Sequence, residues 1–329
     1  MDREISGKQL KSLAPPIIST LLFLLAVSLF NLQQFLEALQ TVDKTVFLLA
    51  VFVGNMPFLL NAVIWQNSLE FLGYRENISE TLKLQYSMVF INNITPLGNF
   101  GGEPAIAYKI SNEIETGYEK ILATVIFTDK IIFLPMIVFL PFSIIFITLN
   151  PGKIPINILY SLKIALSVLL LFLSVFIVFY WLYTRERLEN TAKLKDSISN
   201  RLPYLHGIGD LWENFSQGFK VYNSKKLPAV HIVFASSSFL LDVLCLYLVV
   251  LSVSPGIGFL TAVAIMPISR LANFAPSPGG SGFYELTLTG LLISLTDLTV
   301  AQGASASILY RVATFYIGIL IGYISLNID

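Results

Sequence analysis

Long apolar runs separated by short polar stretches dominate this chain. Nearly uninterrupted apolar segments cover approximately residues 13–32, 45–66, 121–149, 156–183, 228–252 and 303–326. Each reaches the ~18–20 residues that a helix needs to cross the hydrocarbon of a bilayer. Two further apolar regions, 84–118 and 259–297, are broken in the middle by proline and glycine. The first break reads Thr95-Pro96-Leu97-Gly98-Asn99-Phe100-Gly101-Gly102-Glu103. The second reads Ser277-Pro278-Gly279-Gly280-Ser281-Gly282-Phe283-Tyr284-Glu285. At a fixed offset of 182 residues, Pro96 meets Pro278, Gly98 meets Gly280, Glu103 meets Glu285 and Asp129 meets Arg311. Paired, interrupted hydrophobic segments at matching places in two halves point to a transporter-type site near the bilayer midplane.

Basic residues orient the spans, because they concentrate on the cytoplasmic side. The stretch Thr184–Leu227 holds Arg185, Arg187, Lys193, Lys195, Arg201, Lys220, Lys225 and Lys226, and is therefore cytoplasmic. Counting crossings back from it makes 150–155 external and 101–120 cytoplasmic. Residues 67–83, with Arg75 and Lys83, follow two crossings from an N-terminus carrying Arg3, Lys8 and Lys11, and are also cytoplasmic. Region 84–118 then begins and ends on one side as a re-entrant hairpin, and 259–297 does the same from the opposite face. The expected fold is an all-α polytopic membrane protein with about six full spans plus two re-entrant helical hairpins in an inverted-topology repeat. Residues 1–329 form a single integral membrane domain, multi-pass in the cell membrane with a cytoplasmic N-terminus. One repeat half covers about 45–149 and the other about 228–326. Between them, the cytoplasmic linker 184–227 carries Ile208, Leu211, Trp212, Phe215, Phe219 and Tyr222 at helical spacing, which predicts an amphipathic helix.

Composition agrees: 55% of residues are hydrophobic and 13% charged, against roughly 25% charged in soluble domains. Cys245 is the single cysteine and His206 and His231 are the two histidines. That excludes an intrachain disulfide and argues against a zinc centre. Neither histidine neighbours a G-x-S-x-G turn, there is no ATP-binding loop, and no basic patch with interleaved aromatics suggests nucleic acid. No cofactor is expected.

Non-helical backbone at membrane depth is tolerated only where it is buried in protein or lines a watery cavity. The two hairpin tips are therefore expected to meet at a cavity, with Asn93, Pro96, Gly98, Gly101, Gly102, Asn273, Pro278, Gly279 and Gly280 around them and Asp242 as a further lining residue. Gly101-Gly102-Glu103-Pro104 reads as a helix start whose free amides suit an anion such as a lipid phosphate. Ionisable residues inside spans are costly and functional by default. Glu103 and Glu285 are candidates for proton carriage, headgroup binding or structural pairing; Asp129 with Lys130, and Arg311, are placed to neutralise them. Arg270 precedes the second break and suits bidentate phosphate binding.

These motifs carry a family resemblance. Pro96 through Glu103, Pro276 through Glu285, and the ending Leu309-Tyr310-Arg311-Val312-Ala313-Thr314-Phe315-Tyr316 resemble the lysylphosphatidylglycerol synthase transmembrane family. This is the flippase-like membrane domain of bacterial multiple peptide resistance factors, and the likeness spans about residues 10–326. The chain departs from the family pattern with Lys109 where an arginine is usual, and with Thr128-Asp129-Lys130 where Glu-Arg is common. It ends at Asp329, without the soluble synthase domain of lipid-aminoacylating members, so aminoacyl transfer is not expected. The resemblance implies a flippase or scramblase for a phosphate-bearing polar lipid or lipid-linked sugar. Its partners would be anionic or phosphate-bearing membrane lipids, a second copy in a homodimer, and a separate lipid-synthesising enzyme. On this reading Arg270, Arg311 and Lys130 bind phosphate while Glu103 and Glu285 shape the site or exchange protons. Two alternatives stay open: an intramembrane lipid-modifying transferase using a glutamate as base, and a small-solute or ion secondary transporter.

Overall fold

The computed structural model describes residues 32–94, 101–114, 116–155, 226–275 and 278–327. Apart from Leu32, Lys226 and Leu227, the expected spans 13–32 and 156–183 and the linker 184–227 lie outside the described residues, as do Pro96 and Gly98. All regular structure among the described residues is helical. In chain order the helices are α1 Leu32–Gln40, α2 Lys44–Glu70, α3 Ile78–Ile94, α4 Gly102–Glu113 and α5 Tyr118–Leu149. They continue with α6 Lys226–Val253, α7 Phe259–Leu271, α8 Phe283–Leu295, α9 Val300–Arg311 and α10 Ile317–Asn327.

Among the described residues, four helices are long and apolar enough to cross a membrane: Lys44–Glu70, Tyr118–Leu149, Ala229–Val253 and Val300–Leu326. They match the runs read at 45–66, 121–149, 228–252 and 303–326. The last joins α9 to α10 through a π-helical turn, Val312–Tyr316, directly after Arg311. Each proline–glycine break does separate two helices, α3 from α4 and α7 from α8. The first broken region starts earlier than its apolar run: α3 begins at Ile78 because Asn77 Oδ1 accepts the Glu80 amide at 3.0 Å. Lys83 thus lies inside the helix, paired with Glu80 one turn back at 2.9 Å.

The bundle is apolar outside and partly polar inside, the reverse of a soluble protein. Leu48, Phe52, Val138, Val233 and Leu260 are among its most exposed side chains, while Asp129, Asp242, Glu285 and Arg311 are buried. The chain is a multi-pass membrane protein. α2 packs along α6, α3 against α10, and α5 against both α6 and α7. Within each broken region the two helices pack on each other and then on the following span, α4 on α5 and α8 on α9. Outside the spans, Tyr74 in the loop after α2 is buried in a cluster with Leu69 and Ile110; burial, then the Glu113 carboxylate at the end of α4, pushes its hydroxyl above its ordinary range.

Small residues permit the closest crossings, as between membrane helices generally. Gly54 of α2 faces the Cys245 thiol of α6, and Gly322 of α10 lies against the Tyr86 carbonyl and Phe90 of α3. A side chain at Gly322 would displace backbone. Gly322→Leu is therefore expected to cost about 1–3 kcal/mol by overpacking, read as a lower thermal unfolding midpoint in detergent.

Candidate functional site

A cavity of about 220 Å³ opens inside the bundle. Its wall is built by α2, α3, α5, α6, α7, α8 and α9, by the turn after α9, and by the tip between α7 and α8. That tip is tightly folded. After α7 the chain forms a 3₁₀ turn at Ala272–Phe274 and another at Pro278–Gly280. Gly279 and Gly280 have φ of 57° and 66°, the left-handed region that glycine alone enters at no steric cost. The space around them is equally restrictive. A Cβ on Gly279 would overlap the Phe315 ring and Asn93, and one on Gly280 would overlap the Asn273 backbone.

Arg311 ties the tip to α9. Its Nε donates to Glu285 Oε1 at 2.8 Å and its Nη2 to the Gly279 carbonyl at 2.7 Å. Glu285 Oε2 accepts the Gly282 amide at 2.6 Å, closing the start of α8, and Ser307 donates to the Glu285 carbonyl at 3.2 Å. The guanidinium also sits 3.7 Å from the Phe315 ring centroid and 4.7 Å from that of Tyr284. Both charges are nearly sealed, with Arg311 4% and Glu285 5% exposed. The 26-residue spacing read from sequence is thus a buried ion pair that holds the second break in place.

The first break is organised differently. Gly101 caps α4, with Glu103 in its first turn, so the helix start predicted at Gly101–Pro104 is present. The Gly102 amide donates to Asn92 Oδ1 at 2.6 Å, joining α4 to α3. Glu103 is 2% exposed. Asn92 hydrogen-bonds its side chain, and Asp129 and Lys130 of α5 lie within electrostatic reach. Its Oε2 has no hydrogen-bond partner among the described residues. Asp129 does not bridge to Glu103; it pairs with its neighbour Lys130 at 3.3 Å. Lys130 in turn lies 5.6 Å from the Phe133 ring centroid.

Arg270, at the end of α7, donates from Nη2 to Asp242 Oδ2 on α6 and stacks 5.9 Å from the Phe239 ring. A carboxylate of the chain thus faces the guanidinium expected to take phosphate. Both residues line the cavity, as do Asn93, Asp129, Asn273, Gly279 and Arg311. Glu103, Lys130, Gly101, Gly102 and Glu285 are not among its lining residues, and Gly280 and Pro278 belong to the tip. The cavity therefore holds two acids, Asp129 and Asp242, against Arg270 and Arg311. Among the described residues, no group of three or more His, Cys, Asp or Glu side chains gathers to hold a metal.

The sequence reading missed Asn61 and Gln85, which line the cavity from α2 and α3 with side-chain oxygens that have no hydrogen-bond partner among the described residues. Their signal was an isolated amide within an apolar helix, at a place where hydrocarbon would penalise it.

Comparison with known proteins agrees with this architecture. UPF0104 membrane proteins from two archaea align along nearly their whole length. The one from Methanocaldococcus jannaschii is 25% identical over 95% of this chain and 93% of its own. That from Pyrococcus horikoshii is 23% identical over 93% of each chain. The family model described as the lysylphosphatidylglycerol synthase TM region matches residues 12–322, and the chain belongs to that family.

Proposed function

We propose that this protein moves a polar lipid between the leaflets of the cell membrane, as a flippase or scramblase, with the headgroup crossing through the cavity and the acyl chains remaining in the bilayer. The observation that carries this reading is the cavity itself. It sets Asp129, Asp242, Arg270 and Arg311 and several amides into an otherwise largely apolar wall, built by helices from both halves of the chain, inside a bundle whose outer face is apolar. Membership of a family of lipid-related membrane domains agrees with it.

The mechanism rests on reading residues 45–149 and 228–326 as an inverted-topology repeat, with the N-terminus cytoplasmic. Packing supports the repeat. Exchanging α2 with α6, α3 with α7, α4 with α8, and α5 with the α9–α10 span maps the contacts onto one another. Thus α3 on α10 becomes α7 on α5, α2 on α5 becomes α6 on α9, and α2 on α6 maps to itself. Length supports re-entrant hairpins. At ~1.5 Å per residue, α4, α7 and α8 reach only about 18–20 Å, short of the ~30 Å hydrocarbon core. Such hairpins place broken backbone at mid-depth, where two repeats can alternate in opening to either side.

Within the cavity Arg270 keeps guanidinium N–H groups beyond the one given to Asp242, so it can receive a phosphate without losing its fixed position. Asn61 and Gln85 offer acceptor oxygens to hydroxyl or amine groups of the headgroup. Arg311 is committed to Glu285 and Gly279, and serves to hold the tip that walls the path. On this reading the lipid leaves chemically unchanged.

A phospholipid with a photoactivatable group on its headgroup tests whether that headgroup enters. Adducts are expected on the cavity segments of α3 and α7, displaced by unlabelled lipid and not by water-soluble glycerophosphate. Adducts confined to the outer face around Phe52 and Val138 would contradict the reading.

A further inference from the structure

The glutamates at the two breaks are equally buried but differently compensated. Glu285 meets the Arg311 guanidinium at 2.8 Å, and its second oxygen takes a backbone amide. Among the described residues, Glu103 meets no cation in that way. Among the described residues, the elements packed most closely against α4 are α3 and α5. The charged groups acting on Glu103 are Asp129 and Lys130, both from α5, while α3 contributes the uncharged Asn92. The remaining contact is the amide end of its own helix. Lys130 is bound to Asp129 and its side chain is 43% exposed. One half-exposed ammonium therefore stands against two carboxylates that are 2% and 7% exposed.

Two carboxylates sharing a buried site do not both ionise; they hold one proton between them and titrate as a pair. The Glu103 Oε2 atom, sealed from solvent and without a donor, would pay the full penalty of an unsatisfied buried acceptor. A proton on the carboxyl removes the buried charge, the larger cost, and turns the group into a donor. Asp129 lines the cavity and Glu103 does not, so Asp129 is the member of the pair open to it.

We infer that Glu103 and Asp129 form a proton-binding carboxylate pair, loaded from the cavity through Asp129, and that its protonation is coupled to movement of the headgroup. The coupling rests on the proposed lipid transport; the proton site does not. The step is a proton transfer alone: the proton arrives from cavity water, resides on one carboxyl and leaves to water on the other side. Lys130, paired with Asp129 at 3.3 Å, offsets part of the charge at the cavity side of the pair, and the shared proton belongs to the pair rather than to either carboxyl.

Infrared difference spectra of the purified protein in an ester-free detergent read the site directly. A pH step is expected to produce a carboxylic-acid carbonyl band that shifts in heavy water. Glu103→Gln should lose the band, and Asp129→Asn should displace its midpoint. No such band in wild type, or an unchanged band in Glu103→Gln, would overturn the proton site. If Glu103→Gln does not fold, the wild-type band and the Asp129→Asn midpoint still decide, and an unmoved midpoint overturns the pair.

In proteoliposomes, lipid redistribution by wild type should respond to an imposed pH gradient, and Glu103→Gln should lose that response. Redistribution indifferent to pH, or responsive to a sodium gradient instead, overturns the coupling. If the infrared band behaves as stated while no lipid moves, the proton site stands and the lipid reading falls.

Discussion

Arg311→Ala is expected to be among the most damaging single substitutions in the described bundle. It leaves Glu285 buried without its cation and frees the Gly279 carbonyl at the tip. Removing one partner of a buried ion pair costs about 3–5 kcal/mol, whereas replacing both partners with apolar or neutral groups of similar volume is often neutral. The pair Glu285→Gln with Arg311→Met should therefore recover much of the thermal stability lost in Arg311→Ala. It should not recover transport, because Gly279 still loses its guanidinium. A double variant no more stable than Arg311→Ala would show that Arg311 acts through something other than Glu285.

Gly280→Ala should have the next largest effect. The residue sits at φ 66°, and a left-handed backbone costs a non-glycine residue about 1–3 kcal/mol. Its Cβ would also meet the Asn273 backbone, which has no rotamer to relieve the overlap. The tip should shift away from α3, with loss of lipid movement exceeding the loss of stability. The contrast is Gly290→Ala on α8, where nothing lies within 4 Å of the added Cβ. It should leave both the unfolding midpoint and transport near wild type; equal damage from the two substitutions would remove the tip from the account.

Much of this was legible in the chain because membrane folds write their rules locally. Length and apolarity marked the four spans, and a proline-glycine cluster in an apolar run could only be a break. Glu103 at the start of α4 followed from helix-terminus chemistry, and the Glu285–Arg311 pairing from a spacing within one half. The Arg270–Asp242 pair was not legible. It joins the middle of α6 to the end of α7 across a turn at Pro255 and Gly256, so which residues face each other depends on how α7 folds back on α6. Arg270 was assigned to phosphate because its internal partner could not be seen. Nor did the sequence announce the π turn after Arg311, where aromatic packing of Phe315 on the guanidinium replaces any local motif. Asn61 and Gln85 were overlooked because single amides in apolar helices are quiet until a shared cavity collects them. The asymmetry of the breaks was visible as Asp129 opposite Arg311, but burial of Glu103 and its open oxygen gave it chemical meaning.

The most direct test of the central claim is lipid sidedness in proteoliposomes, followed by dithionite quenching of headgroup-labelled anionic and zwitterionic lipids. Wild type should bring the inner-leaflet label within reach of dithionite with the lipid chemically unchanged. Arg270→Met and Arg311→Ala, folded by their thermal transitions, should not. Label that stays where empty vesicles keep it, for every headgroup and with or without a pH gradient, would contradict the account.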